Sequence, residues 1–456
     1  MSKFNQKDGV SRVDSTPTLA RPIHPIRAWL LGLLFAIVLL PLSLAPRISG
    51  NVSSRYMTIE GIVERGTLAI DASPLLAGSG SPDVVRFGRH LYSDKPPVLP
   101  ALSSAVYAVL YHLGIRFSGS ADQFVVSNLV LVSSIVGVAS GLTLVWLRLI
   151  LQTVPIPRIL SDLIALGFGF GSILFVYGVT FNNHSVAAML VTGSVALTLL
   201  DTPVRPRARL IRNVIAGIFA GLAATIDLPP GALVLAGIAL WQTLRDRRLP
   251  WAFMAGAIPP LLLHCVLQSM VTGSPLPAEM YPKAFEYPGS YWATSAGVWK
   301  ETVPRWQFGL EFLFGQQGWF TITPVLFLFP IGLARVLKDK TDPLRPVALL
   351  TAVMTAILVV YYVWGVRRTD FAGQSFGTRH MLAITPLCFF FAVVTLVRLS
   401  RKVMWPIFLV LFAAGGFYAF AGEKDPWSRV EKHAMTNIPV RMLQSLVLYP
   451  WTSYQR

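Results

Sequence analysis

Charge is what this chain lacks. Of its 456 residues only 13% are Asp, Glu, Lys or Arg, against roughly a quarter in soluble domains. No long window is polar enough to stand as a separate water-soluble domain. Cysteine is nearly absent too. Cys265 and Cys388 lie far apart inside apolar segments, which argues against a disulfide scaffold and assigns both to packing. The seven His residues are scattered, and no His pair stands at i, i+4 with an acid, so no metal and no cofactor is expected. A Walker loop is missing, as is a GxGxxG after a strand, and binding of a soluble nucleotide sugar has no support.

What is abundant is apolar sequence: 54% of the residues are hydrophobic, and mean hydropathy is +0.57. Stretches of about twenty apolar residues recur, the length a bilayer-spanning helix needs. The expected fold class is therefore an all-α polytopic membrane protein. Candidate spans fall at 27–46, 123–150, 158–180, 184–201, 211–227, 230–246, 250–271, 319–337, 346–366, 379–398 and 403–421. Trp29, Trp251, Trp319, Trp364 and Trp405 stand near span ends, where an aromatic belt is expected.

The net charge of +17 would suit a nucleic acid, but the basic residues sit in short loops between oily segments, so topology and anionic lipid account for them better. No nucleic-acid partner is expected. One further stretch, 96–115, is long enough to cross. If it does not, the N-terminus and the basic loops 148–158, 205–212, 245–248, 335–345 and 398–402 all lie inside. Those five loops hold sixteen Lys or Arg. The intervening turns near Asn182 and Leu228 hold none. This positive-inside pattern predicts about eleven crossings, N-terminus in and C-terminus out. The expected divisions are a cytoplasmic tail 1–26, an integral membrane domain 27–421 and an extracytoplasmic tail 422–456. The apolar run after the tail lacks a small-residue cleavage site and reads as a retained first helix.

In this topology the first outer loop, 47–122, is the longest. Within it SSRYMTIEGIVERG has Tyr56, Ile59, Ile62 and Val63 at helical spacing, with Arg55, Glu60, Glu64 and Arg65 as polar members and Gly66 as a stop. An amphipathic helix on the membrane surface is expected there. The outer turns also gather Arg86, Arg89, Lys95, His184, Lys283, Arg305, Arg367, Arg368, Arg379 and His380. Outer cations in the short loop 367–380 oppose the positive-inside rule. A bound anion would explain them, and phosphate fits: Arg meets it with a planar fork and Lys as a point charge.

Tyr92-Ser93-Asp94-Lys95-Pro96-Pro97, preceded by Arg55-Tyr56 after the first span, resembles the first outer loop of GT-C glycosyltransferases, among them the aminoarabinose transferases and the protein-mannosyltransferase-like group. Asn183-His184, Gly315-Gln316-Gln317-Gly318 and Ser375-Phe376-Gly377-Thr378-Arg379 are similar to motifs of bacterial members. The resemblance implies a glycosyltransferase in a bacterial plasma membrane. It would move a sugar from a polyprenyl-phosphate donor to a lipid, glycan or protein acceptor at the outer face. It also implies that Lys95 contacts the lipid phosphate, with Pro96-Pro97 starting a helix beside it. Arg55, Arg86, Arg89 and Arg379 are the further candidates for phosphate. Tyr56, Tyr92, Asn183, His184, Gln317 and His380 are candidates for donor or acceptor contacts.

One departure stands out. The family carries an acid shortly before the Arg-Tyr pair, as base toward the acceptor, and here that stretch reads Gly50-Asn51-Val52-Ser53-Ser54. Asp94 and Glu60, with Asp83 and Asp71 behind them, are the alternative acids; a phosphate-type acceptor would need little deprotonation. Each site residue also has a plainer reading. Lys95 could snorkel to the interface, and Asp94 could be its counter-ion. Asn182, Asn183 and His184 could form a polar turn, Arg379 and His380 could anchor a span, and Asp227 is expected to serve a helix terminus. Two rival functions remain at this stage: an anionic-lipid flippase, and a non-catalytic lipid-binding relative.

Overall fold

The computed structural model describes residues 25–76, 83–198, 205–291, 304–315, 317–365 and 375–427, without the side chain of Arg401. Most of the expected tails 1–26 and 422–456, together with Gln316, Arg367 and Arg368, lie outside the described residues. In chain order the first elements are α1 (Pro25–Leu42), α2 (Gly50–Arg65), a hairpin of β1 (Val84–Phe87) and β2 (His90–Ser93), and α3 (Val98–His112). Next come α4 (Ala121–Leu131) and α5 (Val138–Leu151), joined by a π turn, then α6 (Arg158–Phe170), α7 (Ile173–Tyr177), α8 (Asn183–Thr198), α9 (Pro206–Ile226), α10 (Leu228–Asp246) and α11 (Trp251–Thr272). The last are α12 (Arg305–Phe314), α13 (Trp319–Ile322), α14 (Phe329–Lys338), α15 (Arg345–Val360), α16 (Thr385–Leu396) and α17 (Arg401–Lys424). The protein is an all-α polytopic membrane protein, with the two-stranded hairpin as its one sheet among the described residues.

Seven helices among the described residues are long and apolar enough to cross a bilayer, and an eighth passes if a bent pair is taken as one span. They match seven of the eleven expected spans; of the other four, two are broken and two are continuous helices that do not meet the length or apolarity of a span among the described residues. The stretch 158–180 breaks at Gly171, where a Cβ would stand 2.7 Å from the Gly167 carbonyl, and Ser172 restarts the chain as an N-cap on Leu174. The stretch 319–337 breaks at Thr323, because Pro324 cannot donate to the preceding turn and disfavours helix before it; Arg305–Ile322 and Pro324–Lys338 meet there at 109°. Helix α8 has 16 residues, and α10 has 19 and ends in Arg245 and Asp246. Segment 96–115 becomes α3, whose 15 residues span about 22 Å, short of the ~30 Å hydrocarbon core.

Packing grades from centre to rim. The segment Arg379–Leu396 is almost wholly enclosed, whereas α1 and α17 are mostly exposed. Trp29, Trp251 and Trp364 are exposed, but Trp319 is buried and donates its indole N–H to Thr385 at 2.9 Å, so it belongs to the core and not to the aromatic belt. Cys388 is buried as expected, while Cys265 faces outward on α11 and does not pack.

Small residues set the closest helix contacts. On α9, Gly217 and Gly221 are one turn apart and face α11. A Cβ on Gly217 would stand 1.9 Å from the Phe253 carbonyl, and one on Gly256 would stand 2.0 Å from that of Val214. Backbone-to-backbone approach of this kind is how membrane helices associate without a hydrophobic driving force. Gly217→Leu should therefore separate α9 from α11 and destabilise the protein by about 1–3 kcal/mol. Gly416→Ala, where a Cβ meets nothing within 4 Å, should be neutral or stabilising by a few tenths of a kcal/mol. Thermal unfolding of both variants in detergent checks this, and equal midpoints would remove the packing argument.

Candidate active site

Helix α2 carries the site's first wall. It starts at Ser49, whose hydroxyl accepts from the Val52 N–H at 3.3 Å, and stops at Gly66 in the left-handed region, φ 66, which is the stop expected from sequence. It does not lie on a surface. Asn51, Ser54, Arg55, Tyr56, Thr58 and Glu60 are all buried, because α3 covers one side and the hairpin another. Ser93 at the end of β2 donates to Ser54 at 3.0 Å and accepts from the Lys95 N–H at 3.2 Å. The Tyr-Ser-Asp-Lys stretch is thereby fastened to α2.

Lys95 lies between two acids, its Nζ donating to Asp94 Oδ2 at 2.9 Å and standing 3.1 Å from Asp83 Oδ1. Burial pulls the Lys95 pKa down, but Asp83 and Asp94 more than offset it, and the net shift is upward. Burial pushes the Asp94 carboxyl up to about 7, against the pull of Lys95. Its Oδ1 is buried without a hydrogen-bond partner. Glu279 stands in the same recess and acts on both. Its side chain keeps solvent contact, yet the surrounding protein raises its pKa by desolvation.

The second wall is the start of α8. Asn182 caps it, accepting from the Ser185 N–H at 2.9 Å and donating to the Tyr177 carbonyl at 2.7 Å. That cap aims the next two side chains inward. Asn183 Oδ1 accepts from the Arg55 guanidinium at 2.9 Å. His184 Nδ1 is 2.7 Å from Asp227 Oδ2. Asp227 sits at the junction of α9 and α10, but its side chain makes no capping hydrogen bond there; it orients the imidazole instead. The third wall begins at Ser375. Thr378 donates to the carbonyls of Gln317 at 2.9 Å and Phe312 at 3.2 Å, and this holds Arg379 and His380. Arg379 lies over Trp427, 5.0 Å from the ring centroid. His380 stacks on Tyr362 at 4.6 Å and meets the edge of His184 at 5.2 Å.

Arg55 is the centre of this arrangement. It is 2% exposed, and its guanidinium donates to the side-chain and main-chain oxygens of Asn51 and to Asn183. All three partners are neutral. No carboxylate lies within ion-pair distance of Arg55 or Arg379 among the described residues, and the Nε of each is buried without a partner. Arg379 is near enough for its charge to act on Arg55, whose pKa burial lowers to about 10. Asp83, Asp94 and Asp227 also act on Arg55, Asp83 more strongly than Arg379, but none of them touches it.

Several expected site residues are not part of it. Arg86 and Arg89 are exposed on the hairpin with His90, since the strand register turns the loop outward. The Tyr56 ring is stacked on Phe117 at 4.7 Å, and its hydroxyl donates to Asn128 at 2.8 Å; it is core, not a substrate contact. Glu60 is not a free base, because Arg65 binds both of its oxygens, at 2.6 and 3.1 Å, and Ser73 donates to one. Asp71 accepts from the Leu91 N–H at 3.0 Å near exposed His90. Lys283 is exposed, and Arg305 donates to the Val363 carbonyl. Tyr92 does line a small recess with Thr58, Lys95 and Gln268, and Gln317 is buried with its Nε2 unpartnered. Asp83 and Asp227 are the residues whose part in the site exceeds what spacing suggested.

Removing Lys95 would leave Asp83 and Asp94 facing each other. Lys95→Ala should destabilise the protein by about 1–3 kcal/mol, less than for a fully enclosed pair because the side chain keeps some solvent. Adding Asp94→Asn should recover part of the loss. A double-mutant cycle of thermal midpoints reads this coupling, and strictly additive effects would contradict it.

No family model and no curated protein matches the sequence. Among solved structures the chain is similar to ArnT from Cupriavidus metallidurans bound to undecaprenyl phosphate, at 14% identity and a TM-score of 0.51, covering 87% of this chain and 69% of that one. The apo state of the same protein is similar at 17% identity and a TM-score of 0.47, covering 86% of this chain; the chain spans only 62% of that structure's length. The likeness is one of fold: this chain is an all-α polytopic membrane protein whose helices are arranged as in that structure.

Proposed function

We propose that this protein is a membrane glycosyltransferase that takes a sugar from a polyprenyl-phosphate donor and places it on a lipid, glycan or protein acceptor at the outer face of a bacterial plasma membrane. One observation carries the reading: Arg55 is buried, has only amide and carbonyl partners and faces Arg379. A buried cation with no carboxylate in contact is costly; Asp83, Asp94 and Asp227 offset its charge only from farther away, and an anion at the two guanidinium groups would relieve it directly. A phosphate matches their planar forks. The neighbour whose structure holds undecaprenyl phosphate supports a polyprenyl tail behind that phosphate. Lys95 takes a different part from the one its sequence suggests. Its charge is already matched by Asp83 and Asp94, so it reaches a phosphate as a point charge once Asp94 is neutral. In the reaction, Arg55 and Arg379 would stabilise charge building on the departing phosphate.

The stretch 50–54 favours a second reading, a lipid-binding protein without transfer, because it holds no acid and its Asn51 is bonded to Arg55. Both readings require the phosphate site, and only the first requires turnover of a lipid-linked sugar.

Arg55→Gln and Arg379→Ala should each weaken undecaprenyl phosphate binding about 10- to 100-fold in nanodiscs, as loss of a charged hydrogen bond does. Arg55→Lys should restore only part, since it lacks the fork. Wild-type affinity in Arg55→Gln would end the proposal.

The rise of Asp94 to about 7 gives a pH signature. Below that value the carboxyl is neutral and does not repel a phosphate; above it the carboxylate does. Lys95, Asp83 and Glu279 face it, and its charge also acts on Arg55. The ratio of wild-type to Asp94→Asn dissociation constants for undecaprenyl phosphate should be near one at pH 6 and clearly above one at pH 8. Using a ratio cancels the ligand's own titration, and a ratio that stays flat would assign Asp94 no part in binding.

A further inference from the structure

Asp227 Oδ2 lies 2.7 Å from His184 Nδ1, both side chains are nearly enclosed at 5% and 6% exposure, and His184 Nε2 makes no hydrogen bond among the described residues. A carboxylate that accepts from Nδ1–H fixes the tautomer in which Nε2 carries a lone pair. That is the arrangement of a positioned general base. Its neighbours are the anion site itself: Asn183, next in chain, holds Arg55 at 2.9 Å, and His380, next to Arg379, presents its ring to His184 at 5.2 Å. The acids that sequence offered for this task are otherwise engaged. Glu60 is fully bonded to Arg65 and Ser73. Asp94 is tied to Lys95, and its other oxygen is sealed. Position 51 is an amide.

We infer that His184 is the general base that activates the acceptor hydroxyl, with Asp227 as its positioning residue. This rests on the glycosyltransferase reading above. In the step, His184 Nε2 takes the acceptor's O–H proton. The freed oxygen pair forms the bond to the anomeric carbon. The bond from that carbon to the phosphate oxygen breaks, and its electrons stay on the polyprenyl phosphate, held by Arg55 and Arg379. The imidazolium, held by Asp227, then releases its proton to water. The acceptor class is a neutral hydroxyl compound, since an acceptor already ionised would need no base.

The test uses the full chain in nanodiscs. Undecaprenyl phosphate binding reads the donor site. Transfer is read with metabolically labelled polyprenyl-phosphate sugars, extracted from bacterial membranes, in membranes that contain the natural acceptor. His184→Gln should lower turnover about 100-fold or more, the usual share of a general base, while undecaprenyl phosphate binding and the donor KM stay within about threefold. The acid limb of the rate–pH profile should disappear with it. The groups facing His184 are Asp227, Arg55, Arg379 and His380. Asp227→Asn should lower turnover and displace that limb without abolishing it, which a merely structural contact would not do. As a second readout, diethyl pyrocarbonate should modify His184 in the wild type and more slowly in Asp227→Asn, scored by mass spectrometry. If His184→Gln turns over within threefold of wild type with the same acid limb, the assignment is overturned and the glycosyltransferase reading stands. If the wild type neither binds undecaprenyl phosphate nor transfers, both are overturned.

Discussion

A guanidinium enclosed by protein needs something to face, and the site is organised around that requirement. Arg55 is held on three sides by oxygens of Asn51 and Asn183. Amide and carbonyl oxygens offer dipoles and satisfy its N–H groups, but they leave the unit charge uncancelled. Lys95 shows the contrast within the same cleft: it has two carboxylates for one ammonium. The site thus has a hairpin side where Lys95 meets two carboxylates and a side between α2, α8 and the Arg379 turn where Arg55 and Arg379 have no carboxylate in contact among the described residues. On the proposed reading an anion would be drawn to the second side, with Asp83 and Asp94 matching the charge of Lys95.

The rest of the fold keeps those three walls at fixed separation. Caps set the aim of each wall: Ser49 starts α2 and Asn182 starts α8. Long-range hydrogen bonds tie the ends together. Tyr177 donates to the Phe376 carbonyl at 2.9 Å, and Trp427 donates to that of Arg47 at 3.1 Å, so the Arg379 turn, the α7–α8 corner and the exit of α1 move as one piece. Glycine contacts such as Gly217 with Phe253 then fix the helices behind the site at backbone distance. A site built this way is organised before its ligand arrives, so little binding energy is lost to ordering it.

Sequence made much of this legible, for identifiable reasons. Apolar length found the spans, since hydrocarbon thickness is a hard constraint, and Gly66 marked the end of α2 because only a residue without Cβ adopts its φ readily. Lys95, Arg55, Asn183, His184 and Arg379 were marked by charge out of place and by the family's motifs. The misses share a cause. Arg86 and Arg89 lie close to Lys95 in sequence but sit on the outward side of a hairpin that the apolar pattern did not announce. Tyr56 and Glu60 occupy the expected helix, yet the helix is buried on more than one face, so period 3.6 alone did not tell substrate side from core side. Asp227 is 43 positions from His184, and no local pattern could pair them; the acid was visible only as an odd residue before Pro229. The breaks at Gly171 and Pro324 were readable in principle, but hydropathy averages over them.

An amide rather than an acid at position 51 has an electrostatic consequence that bears on where a base can be. A carboxylate beside Arg55 would cancel its charge and repel an incoming phosphate. An asparagine does neither, so the anion site is strengthened and the nearby base is lost at once. A histidine is the side chain that resolves this conflict. It is neutral when a phosphate binds, so it does not repel the ligand. On taking a proton it would become a cation just as charge builds on a departing phosphate, and beside side chains as enclosed as His184 and Asp227 the attraction between the two charges would be strong. Asp227 completes the balance from behind: it holds Nδ1–H before transfer and faces the imidazolium after it. A carboxylate base in the same place would lose charge in that step and offer the phosphate no such partner. On this argument the amide at 51 and the His184–Asp227 pair are two parts of one arrangement, in which Arg55 is reserved for the anion and proton transfer is carried from the opposite wall.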